Sequence, residues 1–363
     1  AGCYGDKVVK TPAMDRLAAE GARFANGFAA VSSCSPSRSV IFTGMFNHTN
    51  GMYGLAHPPH NFYSFTTIPS LPKLLRDAGY RTAVVGKYHV QPESTYPLDE
   101  TLPCPGGPRS VAEVAQVARK YMSSASDKPF FLSVGFTDPH RDFGNKQTYP
   151  GVEAISYRPE DIVVPPWLPD RPETREDLAQ YYQSISRLDQ GIGLVCKAIA
   201  DTGHETDTFV IYVSDNGPPW PGGKTTLYEP GIHLPLIIRK PEQKSGVVCQ
   251  AMVSWVDITP TVLEWAGVKQ PAKVFGRSLL PILDQASPSG WDTVYGSHTF
   301  HEATMYYPMR MIRTRRHKYI LNLAHGLERP FASDLWGSLT WQTSLKRGDK
   351  QYGQRTVDAY IHT

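Results

Sequence analysis

A chain of 363 residues, 40% hydrophobic and 11% aromatic, can bury a large core and hold one big domain with a smaller companion. Its 37 Lys and Arg against 34 Asp and Glu leave a net charge of +3, which excludes general polyanion or nucleic-acid binding and confines any preference for acidic substrates to a local site. The cysteines, Cys3, Cys34, Cys104, Cys196 and Cys249, lack C-x-x-C spacing, which argues against a structural zinc site or a disulfide scaffold, and no apolar run is long enough to span a bilayer.

Taken in chain order, the first loaded segment is Ser32-Ser33-Cys34-Ser35-Pro36-Ser37-Arg38, a cysteine with proline at +2 and arginine at +4. A free cysteine is usually a small buried hydrophobe. The proline, serines and arginine around this one suit a hydrogen-bonded turn that opens a helix, with Ser39-Val40-Ile41-Phe42 as its apolar start. Cys34 would then stand at a helix N-terminus, where the dipole favours an anion. The sequon Asn47-His48-Thr49 lies close by and is expected to carry no glycan.

Helical periodicity from Ser70 stops at Gly79, and Arg81 to Gly86 reads as a buried strand. Strands are also predicted at Pro129 to Phe136 and Thr208 to Val213, the latter fed by a helix from Asp177 to Ala200. Apolar strands alternating with amphipathic helices predict an α/β fold, its mostly parallel central sheet covered by helices on both faces. Lys87-Tyr88-His89, Asp138-Pro139-His140 and Asp215-Asn216-Gly217 each follow a strand C-terminus, the edge where such sheets bind ligands. Residues 141–173 read as a long loop over that edge, and Asp257 to Trp265 as a packing helix with proline in its first turn. A smaller antiparallel subdomain is expected over residues 291–363, with a hairpin of Met309 to Arg313 and Tyr319 to Leu323, leaving 1–290 as the main domain. The stretch after Leu323 is mostly polar and shows no closing element.

Asp215 and Asn216 supply hard oxygens of the kind that bind calcium or magnesium, although Asn or Asp beside glycine is also an ordinary turn. Lys87 and Lys224 are candidate anion clamps, against the common reading of lysine as a solvated charge. His89 and His140 are candidate proton donors near neutral pH.

Together these segments resemble the sulfatase family of the alkaline-phosphatase-like superfamily. Cys34 to Arg38 with Thr43-Gly44 looks like that family's signature, the C-x-P-x-R pattern read by the enzyme that oxidises cysteine to formylglycine. Asn50 to Leu55, Asp138 to Arg141 and Tyr307 to Arg310 look like its sulfamate-cleaving members. The resemblance implies a formylglycine at Cys34 that is both nucleophile and metal ligand, its diol held by Arg38 and His89. It implies calcium, or magnesium in its place, on Asp215 and Asn216, sulfate gripped by Lys87 and Lys224, and His140 protonating the leaving nitrogen. Where Lys224 stands those members carry arginine, so the charge is kept and the bidentate fork is not. Asp142, His301, Glu302 and Arg310 are candidate sugar contacts.

The implied activity is removal of sulfate from N-sulfated glucosamine of heparan-type glycans. The alternatives are an O-sulfatase on another sulfated sugar, a phosphonate or phosphodiester hydrolase, and a non-catalytic glycan-binding relative. Implied partners are a sulfated glycan and the formylglycine-generating enzyme, with a homodimer allowed and no nucleic acid or membrane. The implied compartment is non-cytosolic, lysosomal or periplasmic or exported according to the host. The resemblance also implies a strand upstream of Ala1 bearing paired aspartates, and further elements beyond Thr363.

Overall fold

The computed structural model describes residues 1–144, 148–241, 243 and 246–362. The strands β1 (Ala22–Phe28), β2 (Arg81–Gly86) and β3 (Glu100–Leu102) and the helices α1 (Pro12–Glu20), α2 (Cys34–Thr43), α3 (Leu71–Asp77) and α4 (Val111–Met122), with a single helical turn at Asn47–Asn50, are complete before residue 123. Then come β4 (Phe130–Gly135), the long α5 (Pro172–Asp201), β5 (Val210–Val213), β6 (Leu236–Arg239), β7 (Val247–Ser254) and α6 (Ile258–Trp265). The C-terminal part holds β8 (Thr293–His298), β9 (Met309–Thr314) and β10 (Lys318–Asn322), followed by α7 (Ser333–Trp336) and α8 (Leu339–Arg347).

The main sheet is built in two blocks. In one, β2 pairs in parallel with both β3 and β4; in the other the order is β5-β6-β1-β7, with β1 and β7 parallel and β6 antiparallel to both of its neighbours. The sheet is thus mixed, with parallel pairing commoner. The reversal arises because residues 214–235 return from β5 to β6 by an irregular loop and a single helical turn rather than by a crossover helix.

Side chains on successive strand positions point to opposite faces, and both faces of β4 are covered. Phe130, Leu132 and Val134 pack with Val114, Ala118 and Met122 of α4 and Ala198 and Ile199 of α5. Phe131 faces the other way, onto Leu71 and Leu75 of α3 and Leu263 of α6. Two glycines bring the ends of β2 and β4 close together. A Cβ on Gly86, whose φ is +82°, would lie 2.2 Å from the Gly135 carbonyl oxygen, and one on Gly135 would lie 2.0 Å from that of Lys87.

Between β4 and β5 lies an apolar cleft of about 860 Å³ that reaches Cys34, Asp215 and Lys224. Among the described residues β4 pairs with β2 alone and β5 with β6 alone, so each presents an open edge to this cleft.

β8, β9 and β10 form an antiparallel sheet in the order β10-β9-β8, which includes the expected hairpin. Val294, Met309 and Met311 nevertheless share one core with Phe24, Phe28 and Trp255. The segment after Leu323 corrects the sequence reading. It contains α7 and α8, and Trp341, Tyr352 and Tyr360 are fully buried there against Trp220 and Phe143. Widely spaced aromatics carry that burial, and a mostly polar average conceals them.

Candidate active site

Cys34 is the first residue of α2, and Ser33 before it is extended, as an N-cap should be. The Ser33 hydroxyl does not cap the helix; it pairs with His301 Nδ1 at 2.8 Å. Free N–H groups at this end therefore point where a negatively charged ligand would sit. The turn is held from several sides: the Ser32 hydroxyl donates to the Gly231 carbonyl, the Thr225 N–H donates to the Ser32 carbonyl, and the Ala56 N–H donates to the Ser35 hydroxyl.

Arg38, one helical turn on, donates from Nε to Asp215 Oδ2 at 2.8 Å and from Nη1 to the Lys87 carbonyl at 2.7 Å. This one side chain ties α2 to the ends of β2 and β5. Burial alone would raise the Asp215 carboxyl, but Arg38 and Lys87 hold it well below the usual range. Cys34 Sγ lies 3.2 Å from Asn216 Oδ1. Burial also pushes that thiol up, and Lys224 and Lys87 outweigh it, holding Cys34 below its ordinary value.

His89 sits at φ +61°, with Nε2 2.7 Å from His57 Nδ1. Burial first, then Lys87 and Arg38, depress it to about 3, so this ring is neutral at physiological pH. His140 is lowered from 6.5 by burial and then by Lys224. Its loop is anchored by Asp138, whose fully buried carboxylate takes Arg187 Nε at 2.6 Å and Arg109 Nη1 at 2.6 Å.

Lys224 is buried, and its ammonium meets Asp334 Oδ2 at 2.6 Å. Burial opposes its charge, but Cys34 and Asp334 prevail and raise it above its ordinary value. Cys34, Arg38, Lys87, His140, Asp215, Asn216 and Lys224 line one continuous cavity together with Asp334. Asp334 has no signal in the sequence: it lies 110 positions beyond Lys224 in the segment read as polar.

The sugar-contact candidates are more dispersed. The Asp142 side chain is 85% exposed and pairs with Arg109 at 2.9 Å. His301 is buried on Ser33, and Glu302 Oε1 accepts from the Ser333 N–H at 3.0 Å. Arg310 turns its guanidinium onto the Met309 carbonyl at 2.9 Å.

Asp215 and Asn216 offer two oxygens, whereas calcium takes about 6–8. Among the described residues no group of three or more His, Cys, Asp or Glu is placed to hold a metal ion. The donors described here do not by themselves fit a calcium shell. Among those residues, too, no helix is long and apolar enough to cross a membrane.

The Sulfatase family model matches residues 1–268, and a second model, described as N-sulphoglucosamine sulphohydrolase, C-terminal, matches residues 223–327. The chain is 40% identical over 380 residues to N-sulphoglucosamine sulphohydrolase of Homo sapiens, covering 96% of this chain and 75% of that protein. It is 32% identical over 331 residues to an ulvan-active sulfatase of Formosa agariphila, covering 88% of this chain and 62% of that one. A solved structure in complex with its substrate D-glucosamine-2-N,6-O-disulfate superposes with a TM-score of 0.67 at 21% identity, over 89% of this chain and 88% of that one. The phosphonate monoester hydrolase of Agrobacterium radiobacter does so with a TM-score of 0.64 at 20% identity, over 89% and 84%. At such identities these two structures show the fold alone.

Proposed function

The chain belongs to the sulfatase family, and on that premise we propose that it removes sulfate from N-sulfated glucosamine of heparan-type glycans, using a formylglycine made from Cys34. The observation that carries the chemistry is Cys34 at the N-terminus of α2, in one cavity with Lys87, Lys224 and His140. The substrate class rests on the 40% identity to N-sulphoglucosamine sulphohydrolase.

Oxidised to an aldehyde and hydrated, residue 34 would carry two hydroxyls on one carbon. One hydroxyl oxygen forms a bond to sulfur and releases its proton to water as the S–N bond breaks, and His140 gives the departing nitrogen its proton. The second hydroxyl then loses its proton, the carbon–oxygen bond to sulfate breaks, and the aldehyde returns as sulfate leaves. A serine, with one hydroxyl, has no such route. Lys87, Lys224 and the α2 N-terminus hold the sulfate oxygens throughout, in surroundings that exclude much of the water. Arg38 and His89 steady the diol.

The family uses a divalent metal together with formylglycine. Asp215 and Asn216 are the ligands this chain would give to calcium, which would supply positive charge to the sulfate and the diol. Because the described donors fall short of a full shell, no step here passes through the ion.

The test is sulfate release from glucosamine N-sulfate and glucosamine 6-O-sulfate side by side, with calcium present. Faster release from the N-sulfate is expected, and loss of all turnover in Cys34→Ala with its fold intact. Preference for the 6-O-sulfate would leave the formylglycine chemistry standing and overturn the substrate; unchanged activity in Cys34→Ala would remove the mechanism.

A further inference from the structure

Asp334 poses a problem that the proposed chemistry leaves unsolved. A site that binds sulfate gains from every cation and loses from every nearby anion, yet α7 places a carboxylate in this cavity with its side chain only 13% exposed. Asp334 Oδ2 lies 2.6 Å from Lys224 Nζ and 3.7 Å from His140 Nε2, between a sulfate clamp and the acid that serves the leaving group. Asp334 Oδ1 is buried and has no hydrogen-bond partner among the described residues. An ionised carboxylate can only accept hydrogen bonds, so this oxygen awaits a donor.

The two candidate substrate classes differ at this point in one respect. In a sulfamate the bridging nitrogen carries a hydrogen, and after the S–N bond breaks it leaves as an amine that becomes an ammonium near neutral pH. In a sulfate ester the bridging oxygen carries none, and its lone pairs would meet those of the carboxylate. Resting on the sulfamate-hydrolase reading above, we infer that Asp334 is a specificity-determining residue: Oδ1 accepts from the N–H of the leaving nitrogen and then pairs with the ammonium product, while Oδ2 braces Lys224 beside His140. An ester would leave Oδ1 buried and unpaired, and a site built around a donor rejects an analogue that lacks it.

The test uses the full-length, formylglycine-bearing protein and its Asp334→Asn variant, with glucosamine N-sulfate as the nitrogen substrate and 4-nitrophenyl sulfate as the ester. The ratio of the two kcat/KM values on one preparation does not depend on how much of the variant is folded. The expected result is a fall of about tenfold or more in the nitrogen-to-ester ratio, the cost of one charged hydrogen bond. Product inhibition should split in the same variant, glucosamine binding more weakly and inorganic sulfate more tightly. Equal losses on both substrates, or an unchanged ratio, would overturn the inference and leave Asp334 as a brace for Lys224. A wild-type protein that cleaves the ester and not the N-sulfate would instead sink the sulfamate reading, and this inference with it, a failure seen before any variant is made.

Discussion

In the proposed reaction the single side chain of His140 would set the working pH. To give a proton to the leaving nitrogen it must itself be protonated, and burial together with Lys224 lowers it from 6.5. Its proton is therefore lost as pH rises through a value below 6.5, and turnover should decline along the same limb. The other charged or titratable groups about the ring are Asp334 at 3.7 Å and, in the same cavity, Lys87 and Cys34. Replacing Lys224 with Met removes the strongest charge opposing His140, so the alkaline limb of the kcat profile should move to higher pH while kcat itself falls by about 10²- to 10³-fold. A limb that stays in place would mean that another group supplies the proton. Most of this constellation could be read from the sequence, because Cys34, Lys87, His140 and Asp215 each follow a strand end or open a helix. Asp334 could not, because only the folded chain brings α7 to Lys224.

Among the elements, α5 does more than cover the sheet. Its Arg187 is buried, takes both oxygens of Asp138 and donates to the Phe143 carbonyl at 2.6 Å, so it fixes both ends of the loop that carries His140. Asp138 is held above its ordinary value by burial despite its two arginines. Arg187→Met should cost about 3–5 kcal/mol, the penalty for leaving a buried partner uncompensated, read as a lower urea midpoint at unchanged slope. A loss under 1 kcal/mol would show that Arg109 suffices. β2, β4 and β5 were legible as apolar runs between a glycine or polar turn and a loaded tripeptide. β1 was not, because Arg23, Asn26 and Gly27 interrupt its apolar pattern and its pairing with β7 shifts register between Phe24 and Asn26. The antiparallel run of β6 escaped for another reason: apolar periodicity reports burial, not direction.

At the scale of the whole molecule, a core running from Phe24 to Met311 fastens the C-terminal sheet to the main one. The residues around Cys34 line a cavity continuous with the space between β4 and β5. The antiparallel hairpin was visible in the change of strand pattern past residue 290; the shared core was not, because it is assembled from residues hundreds of positions apart. The packing around α2 also dictates the order of events in biogenesis. Ser32, Ser33, Ser35 and Ser37 are fully buried and Cys34 nearly so, and all but the first two of these residues are already wound into helix. A thiol so enclosed is closed to any enzyme that would have to reach it from outside. On the proposed reading, conversion of Cys34 would precede folding: a peptide spanning residues 32–43 or the denatured chain should accept the modification, and folded, unconverted protein should refuse it. On that reading a molecule that folded before conversion would be sound in structure and idle, and the pace of folding, as much as the geometry of the site, would set how much of the protein becomes active.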